Sequence, residues 1–212
     1  MTALVYTWEA PMNSQDSSTP ISSPASVRAN SYWRTAAFDR LVCAAAGLVT
    51  LGAYIATLAP GVTGEDSGEL IAAAWILGVP HPPGYPLWCL LAYPILHLVD
   101  FGSVAWRGNL ASAVFGAAGV WLVAETALAL FGRRWAALAA ALALAFSREY
   151  WQQSVAAEVY TLGAALVALH LLLLARWSRS RRPSVLYSAA LVAGLAAAHY
   201  TLNVVLVPLG FA

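Results

Sequence analysis

Between Thr63 and Trp88 the chain reads TGEDSGELIAAAWILGVPHPPGYPLW. Three carboxylates, Glu65, Asp66 and Glu69, and one imidazole, His81, stand there in apolar surroundings. A positioned carboxylate can take a proton from a hydroxyl as that hydroxyl attacks. Asp66-Ser-Gly-Glu69 also has the spacing of a capping box, with Asp66 at the N-cap and Glu69 three helical positions on. Cap and general base are both open readings, and they are compatible, because a cap holds a carboxylate in place. His81 precedes Pro82-Pro83-Gly84-Tyr85-Pro86. Two prolines remove backbone donors and set φ, and Gly84 permits a sharp turn. His81 is then either a solvated interfacial residue or a site residue.

Further polar groups stand at the edges of apolar runs. Arg107 and Asn109, in AWRGNL, precede such a run. An arginine there snorkels to headgroups or holds a phosphate in a bidentate contact. Arg148 has the same two readings. Glu158 and Tyr160, in AAEVYTL, open another run, where the helix dipole favours the acid and an interface the tyrosine. His199 lies near the end of the last run. Glu125, inside a run, is expected to reach toward Arg133 and Arg134, and His170 to hydrogen-bond between helices. No Ser-His-Asp spacing, phosphate-binding loop or metal-ligand spacing is present, so no metal or cofactor is assigned. Cys43 and Cys89 lie in apolar runs and read as small packed residues, not a disulfide.

The elements that must position these groups are membrane helices. The 212 residues are 60% hydrophobic and 10% charged, where a soluble domain carries roughly 25% charged residues. Apolar runs at 41–59, 110–131, 135–147, 159–175 and 184–206 predict about five spans, the third of them short. The run 87–99 contains Pro94 and His97 and is too short to cross. Residues 1–37, rich in Ser, Pro and Asn toward their start, read as a disordered cytoplasmic tail, and 38–212 as the membrane domain. If the N-terminus is inside and 87–99 does not cross, nine arginines are cytoplasmic and only Arg107 and Arg148 are outside. Residues 60–109 then form an external segment of juxtamembrane helices. Asp66, Glu69, His81, Glu158 and His199 all approach that outer face, which argues for a polar cleft there. The expected class is an all-α, multi-pass bundle in the cell (inner) membrane, with the bilayer as partner and no nucleic-acid partner. A non-enzymatic protein that binds or transports a lipid-linked headgroup would need the same cleft.

Four stretches, in this order, carry a resemblance: APGVTGEDSGELIAAAWILGVPHPPGYPLW, VAWRGNLASAVFGA, AFSREYWQQSVAAEVYTL and GLAAAHYTLNVV. Together they resemble a membrane family long catalogued as a domain of unknown function, whose eukaryotic relatives are transmembrane protein O-mannosyltransferases of the GT-C architecture. The resemblance covers roughly residues 41–205, and the chain looks like the N-terminal part of such a protein. It implies a GT-C-like enzyme that moves a sugar, mannose, from a polyprenyl-phosphate donor to a hydroxyl on a protein or glycan acceptor at the outer face, with inversion. Such enzymes carry an essential acid in the first external loop, and Asp66 matches it as catalytic residue. Glu69, His81, Arg107, Asn109, Glu158 and His199 match family-typical positions, implying substrate binding. The related mannosyltransferases carry Lys before their Pro-Pro pair, where this chain has His81.

Overall fold

The computed structural model describes residues 24–64, 66–200 and 203, with side chains from residue 37 onward. The chain divides into two units, Met1–Thr35 and Ala36–Ala212. Of the first, only a helical stretch from Pro24 is described; the tail expected over 1–37 otherwise lies outside the described residues. The second unit is built of helices, with no strand among the described residues.

The order is α1 (Pro24–Ala56), α2 (Ser67–Ile76), α3 (Pro86–Leu98), α4 (Val104–Phe131), α5 (Arg134–Ala145), α6 (Arg148–Ser154), α7 (Tyr160–Ser180) and α8 (Pro183–His199). Three helices are long and apolar enough to cross a bilayer: α1 over Ala37–Ala56, α4 and α7. The other two expected spans are shorter helices of 12 and 17 residues, α5 and α8. At 1.5 Å per residue α5 reaches only about 18 Å, against a hydrocarbon core near 30 Å. Its ends explain this. It starts at Arg134, after Gly132 in the left-handed region, and stops before Ser147, whose hydroxyl turns back to the Leu144 carbonyl at 2.9 Å. The run 87–99 falls in α3, which has 13 residues with Pro94 inside and is shorter than the length needed to cross.

Helix α4 is the axis of the bundle, packing against α2, α3, α5, α6 and α7. Small residues make this possible. Ala124 and Ala127 of α4 meet Ala137, Ala141 and Ala145 of α5 around Cys43 and Val120. In an apolar medium, close approach of this kind replaces hydrophobic burial as the main source of helix association. Ser103 caps α4, its hydroxyl accepting from the Trp106 N–H at 3.1 Å. His170 of α7 hydrogen-bonds the Ala189 carbonyl of α8 at 2.9 Å, the inter-helix role expected for it. Glu125 pairs with Arg176 at 3.1 Å, not with Arg133 or Arg134, because α7 lies beside α4 and brings Arg176 to the buried acid.

A second core joins α2 and α3 to α4, through Leu70, Ile71, Ala74, Trp88, Ala92 and Phe115. The hairpin of α2 and α3 is thus held flat against α4 by its apolar faces. The start of α2 and the turn before α3 are left at the surface, where the polar residues lie.

Candidate active site

Asp66 occupies the N-cap position of α2, yet its side chain makes no capping hydrogen bond. Only its carbonyl takes part, accepting from the Leu70 N–H at 2.9 Å. Glu69 does not reach back to Asp66 either, so the expected capping box is absent. Its carboxylate is taken by His81 instead: Oε1 accepts from the His81 backbone N–H at 2.7 Å, and Oε2 from Nδ1–H at 2.9 Å. Two donors from one residue, one of them on a ring that can carry charge, outcompete a single backbone amide. The far ring nitrogen, Nε2, lies 3.5 Å from Asp66 Oδ2. The imidazole therefore stands between two carboxylates. The hydrogen bond it donates to Glu69 raises the His81 pKa above the ordinary histidine value, and the charges of Asp66, Glu69 and Glu158 add to this. Reciprocally, the hydrogen bonds from His81 hold Glu69 below the usual carboxylate range.

The turn that delivers His81 is built by its prolines and glycine. The Pro82–Pro83 bond is cis, and Gly84 has φ +94°, with its N–H donating to the His81 carbonyl at 2.9 Å. Tyr85 follows with φ 39° and is buried. Its ring lies edge-on to His81 at 5.5 Å and to His199 at 6.1 Å, linking the surface imidazole to a buried one. Burial raises the Tyr85 pKa, and the nearby Tyr200, Asp66 and Glu158 raise it further. His199 is fully buried and its Nε2–H donates to the Val159 carbonyl at 2.9 Å. Beside these, Glu158 is buried at the foot of α7. Its backbone is fixed by Ser112, whose hydroxyl accepts from the Glu158 N–H and donates to the Glu158 carbonyl, both at 2.9 Å.

Of the residues singled out in the sequence, Asp66, Glu69 and His81 come together, Glu158 lies near enough for its charge to act on His81, and His199 lies on the far side of Tyr85. Arg107 and Asn109 are used differently. The Arg107 guanidinium donates to the carbonyls of Leu96 and Val99 at 2.6 and 2.7 Å, closing the C-terminus of α3, and lies 5.7 Å from the Trp75 ring centroid. Asn109 is fully buried. Its amide donates to the carbonyls of Ala59 and Gly61 at 2.8 and 2.9 Å and accepts from the Ala157 N–H at 2.8 Å. It ties the segment leading to Asp66 to the segment leading to Glu158, a framework role. Glu65 lies outside the described residues.

Chemically, the cluster offers a carboxylate with one distant contact (Asp66), a carboxylate held by two hydrogen bonds from His81 (Glu69), an imidazole whose protonated form is favoured by its neighbours, and a buried acid. Donor atoms of Asp66, Glu69 and His81 also lie within 4.8 Å of one another, a spacing compatible with a shared divalent cation. Tyr85 was not anticipated. Its signal in the sequence was a tyrosine directly after the glycine of the turn, read there only as turn chemistry.

The profile of the family described as the protein O-mannosyl-transferase TMEM260 N-terminal domain matches residues 66–212. The chain is 42% identical to the mouse (Mus musculus) protein O-mannosyl-transferase TMEM260 over 148 residues, which is 70% of this chain and 21% of the mouse protein. It is 33% identical to the Dictyostelium discoideum protein O-mannosyl-transferase tmem260 over 130 residues, 60% of this chain and 16% of that protein. The chain thus spans about a fifth of the length of the curated relatives it matches. No solved structure matches it.

Proposed function

The chain belongs to the family of the protein O-mannosyl-transferase TMEM260 N-terminal domain, and from that premise we propose that it supplies the catalytic face of a GT-C-type membrane mannosyltransferase. The donor in this reading is a polyprenyl-phosphate mannose and the acceptor a protein hydroxyl, both reaching the cluster from the outer face. The acceptor oxygen attacks the anomeric carbon and forms the new glycosidic bond. The bond from that carbon to the phosphate oxygen breaks, its electron pair leaving with the lipid phosphate. The acceptor's proton passes to Asp66. Attack opposite the leaving group inverts the anomeric centre.

The observation that carries this reading is the unequal treatment of two carboxylates by one histidine. Glu69 takes both short hydrogen bonds from His81, while Asp66 keeps one contact at 3.5 Å. A proton acceptor must have a free lone pair, and Asp66 retains one. Glu69 acts as the clamp that fixes His81 and favours its protonated form, and a protonated His81 would be a donor for the charge that develops on the leaving phosphate. A positioned base contributes about 10²–10⁴-fold, and charge stabilisation at the leaving group can match it.

The test is an assay of the full-length protein in liposomes, with polyprenyl-phosphate mannose and a panel of Ser/Thr acceptor peptides and folded domains. Transfer with inverted anomeric configuration is expected. Lipid or headgroup binding with no transfer to any acceptor would replace this reading by the non-enzymatic one.

A further inference from the structure

The end of the bundle opposite the Asp66 cluster carries a concentration of arginine. Arg40 begins the apolar part of α1, Arg133 and Arg134 begin α5, and Arg176, Arg179, Arg181 and Arg182 end α7. Tertiary contacts show that these termini meet. Arg134 lies 3.4 Å from Asp39 on α1, Arg176 lies 3.1 Å from Glu125 on α4, and Arg179 donates to the Leu130 carbonyl of α4 at 3.4 Å. Asp39 and Glu125 are the only acids at this end among the described residues, so Arg40, Arg133, Arg179, Arg181 and Arg182 have no carboxylate within ion-pair distance. At the other end the balance reverses: Asp66, Glu69, Asp100, Glu149 and Glu158 stand against Arg107 and Arg148.

The arginine end is also ringed by exposed aromatic side chains: Phe38, Phe131, Trp135 and Tyr187. The Arg134 guanidinium lies over the Phe38 ring at 5.3 Å, and that of Arg181 over Trp177 at 5.0 Å. Exposed rings and guanidinium groups gathered at the end of apolar helices are the chemistry of a bilayer interface: rings at headgroup depth and cations at the phosphates. A nucleic acid or an acidic protein would match the charge but not the rings, nor the apolar helix surfaces that run directly into the patch.

We propose that this end is a binding surface for anionic lipid headgroups, with Arg133, Arg179, Arg181 and Arg182 as its phosphate contacts. Paired acids hold Arg134 and Arg176 in place as its framework. The surface is independent of the transferase reading. It requires only that the arginine end sit at a leaflet containing anionic lipid, where each arginine strengthens the attraction about fivefold at low salt.

The experiment uses this chain in nanodiscs of phosphatidylcholine with a minority of phosphatidylglycerol. Lipid that stays with the protein through successive detergent washes is then quantified by mass spectrometry. The wild type is expected to retain phosphatidylglycerol above its bulk ratio. The quadruple variant Arg133→Gln, Arg179→Gln, Arg181→Gln, Arg182→Gln is expected to fall to the bulk ratio, with its helical circular dichroism unchanged. Should that variant fail to fold, the quadruple Arg→Lys variant, which keeps the charge, tests the same point: it retains the enrichment. Retention at the bulk ratio by the wild type, or undiminished enrichment in a folded Gln variant, would overturn the proposal. So would displacement of the lipid by inorganic phosphate but not by chloride of equal ionic strength, which would make the surface a site for free phosphate.

Discussion

His81 donates twice to one carboxylate, from its backbone N–H at 2.7 Å and from Nδ1–H at 2.9 Å, and that carboxylate is Glu69, twelve residues earlier. The pair closes the α2–α3 hairpin at its polar edge. It also fixes the ring so that Nε2 faces Asp66. The same contact therefore shapes the loop and favours a protonated His81 beside an ionised Glu69.

The first consequence is a titration. Glu69 raises the His81 pKa, so carbon-13 NMR of the His81 ring is expected to give a midpoint above 6.5, returning toward 6.5 in Glu69→Gln. For His81, whose folded pKa is raised, the stabilising contribution is complete below 6.5 and is lost as pH rises through the folded value. For Glu69, lowered from 4.5, it is present above 4.5 and is lost as pH falls through the lower folded value. The clamp is thus fully formed between about 4.5 and 6.5 and weakens on either side. A midpoint at or below 6.5 in the wild type would show that the clamp does not form in solution.

Asp66→Asn separates base from scaffold. The Asp66 side chain makes no capping bond, so folding should be unaffected within about 0.5 kcal/mol. Transfer by the full-length protein should fall by about two orders of magnitude or more, because an amide takes no proton. Wild-type transfer in this variant would move the base to another acid, with Glu158 first in line.

Asn109→Ala tests the framework. It removes three hydrogen bonds at once and leaves the Ala157 N–H without its partner. A buried donor left unpaired costs about 1–3 kcal/mol. Chemical unfolding in detergent should register a loss of that size. The His81 ring resonance should shift as well, since the 59–61 segment leading to α2 is released. An unchanged unfolding midpoint would mean that water replaces the amide.

Gly108 is where α4 lets α2 approach. A Cβ there would come within 2.5 Å of Ile71 Cγ1, a buried atom close to its own backbone. Gly108→Ala is expected to cost about 1–3 kcal/mol as an overpacked contact and to displace α2, which carries Glu69. Loss of the raised His81 midpoint, read by NMR, would report that displacement. A fully wild-type titration in a destabilised variant would show that α2 tolerates the methyl without moving.

Orientation is checked by labelling. With the acid cluster outside and the arginine end inside, an impermeant maleimide should modify a cysteine placed at the exposed Gly64 and spare one at the exposed Ser180. The reverse pattern would put the cluster on the cytoplasmic side and remove the proposed lipid-linked donor from its reach.

Much of the architecture was legible because membrane helices are specified locally. A run of about 20 apolar residues has one stable outcome in a bilayer, where every backbone polar group must be satisfied within the segment. The runs became α1, α4 and α7, and 87–99 fell in the 13-residue α3. The short α5 follows its short run, whereas the end of α8 was less legible, since apolar composition continues past His199, the last residue of that helix.

The sequence by itself determined the ingredients of the site and their side of the bundle: two acids one helical turn apart, a histidine at a proline turn, and an acid opening a later helix. Residue type and local spacing carry that information. The tertiary structure decided their use. Whether Glu69 caps its own helix or clamps His81 depends on where a turn twelve residues away is placed, and the packing of α2 and α3 on α4 sets that placement. Arg107 and Asn109 stand together in one stretch, yet their partners are carbonyls between 8 and 50 residues distant in sequence. Hydrogen-bond competition among groups far apart along the chain is resolved only when the helices meet, and that step gave Arg107 and Asn109 their backbone partners and left Asp66 with a single contact at 3.5 Å.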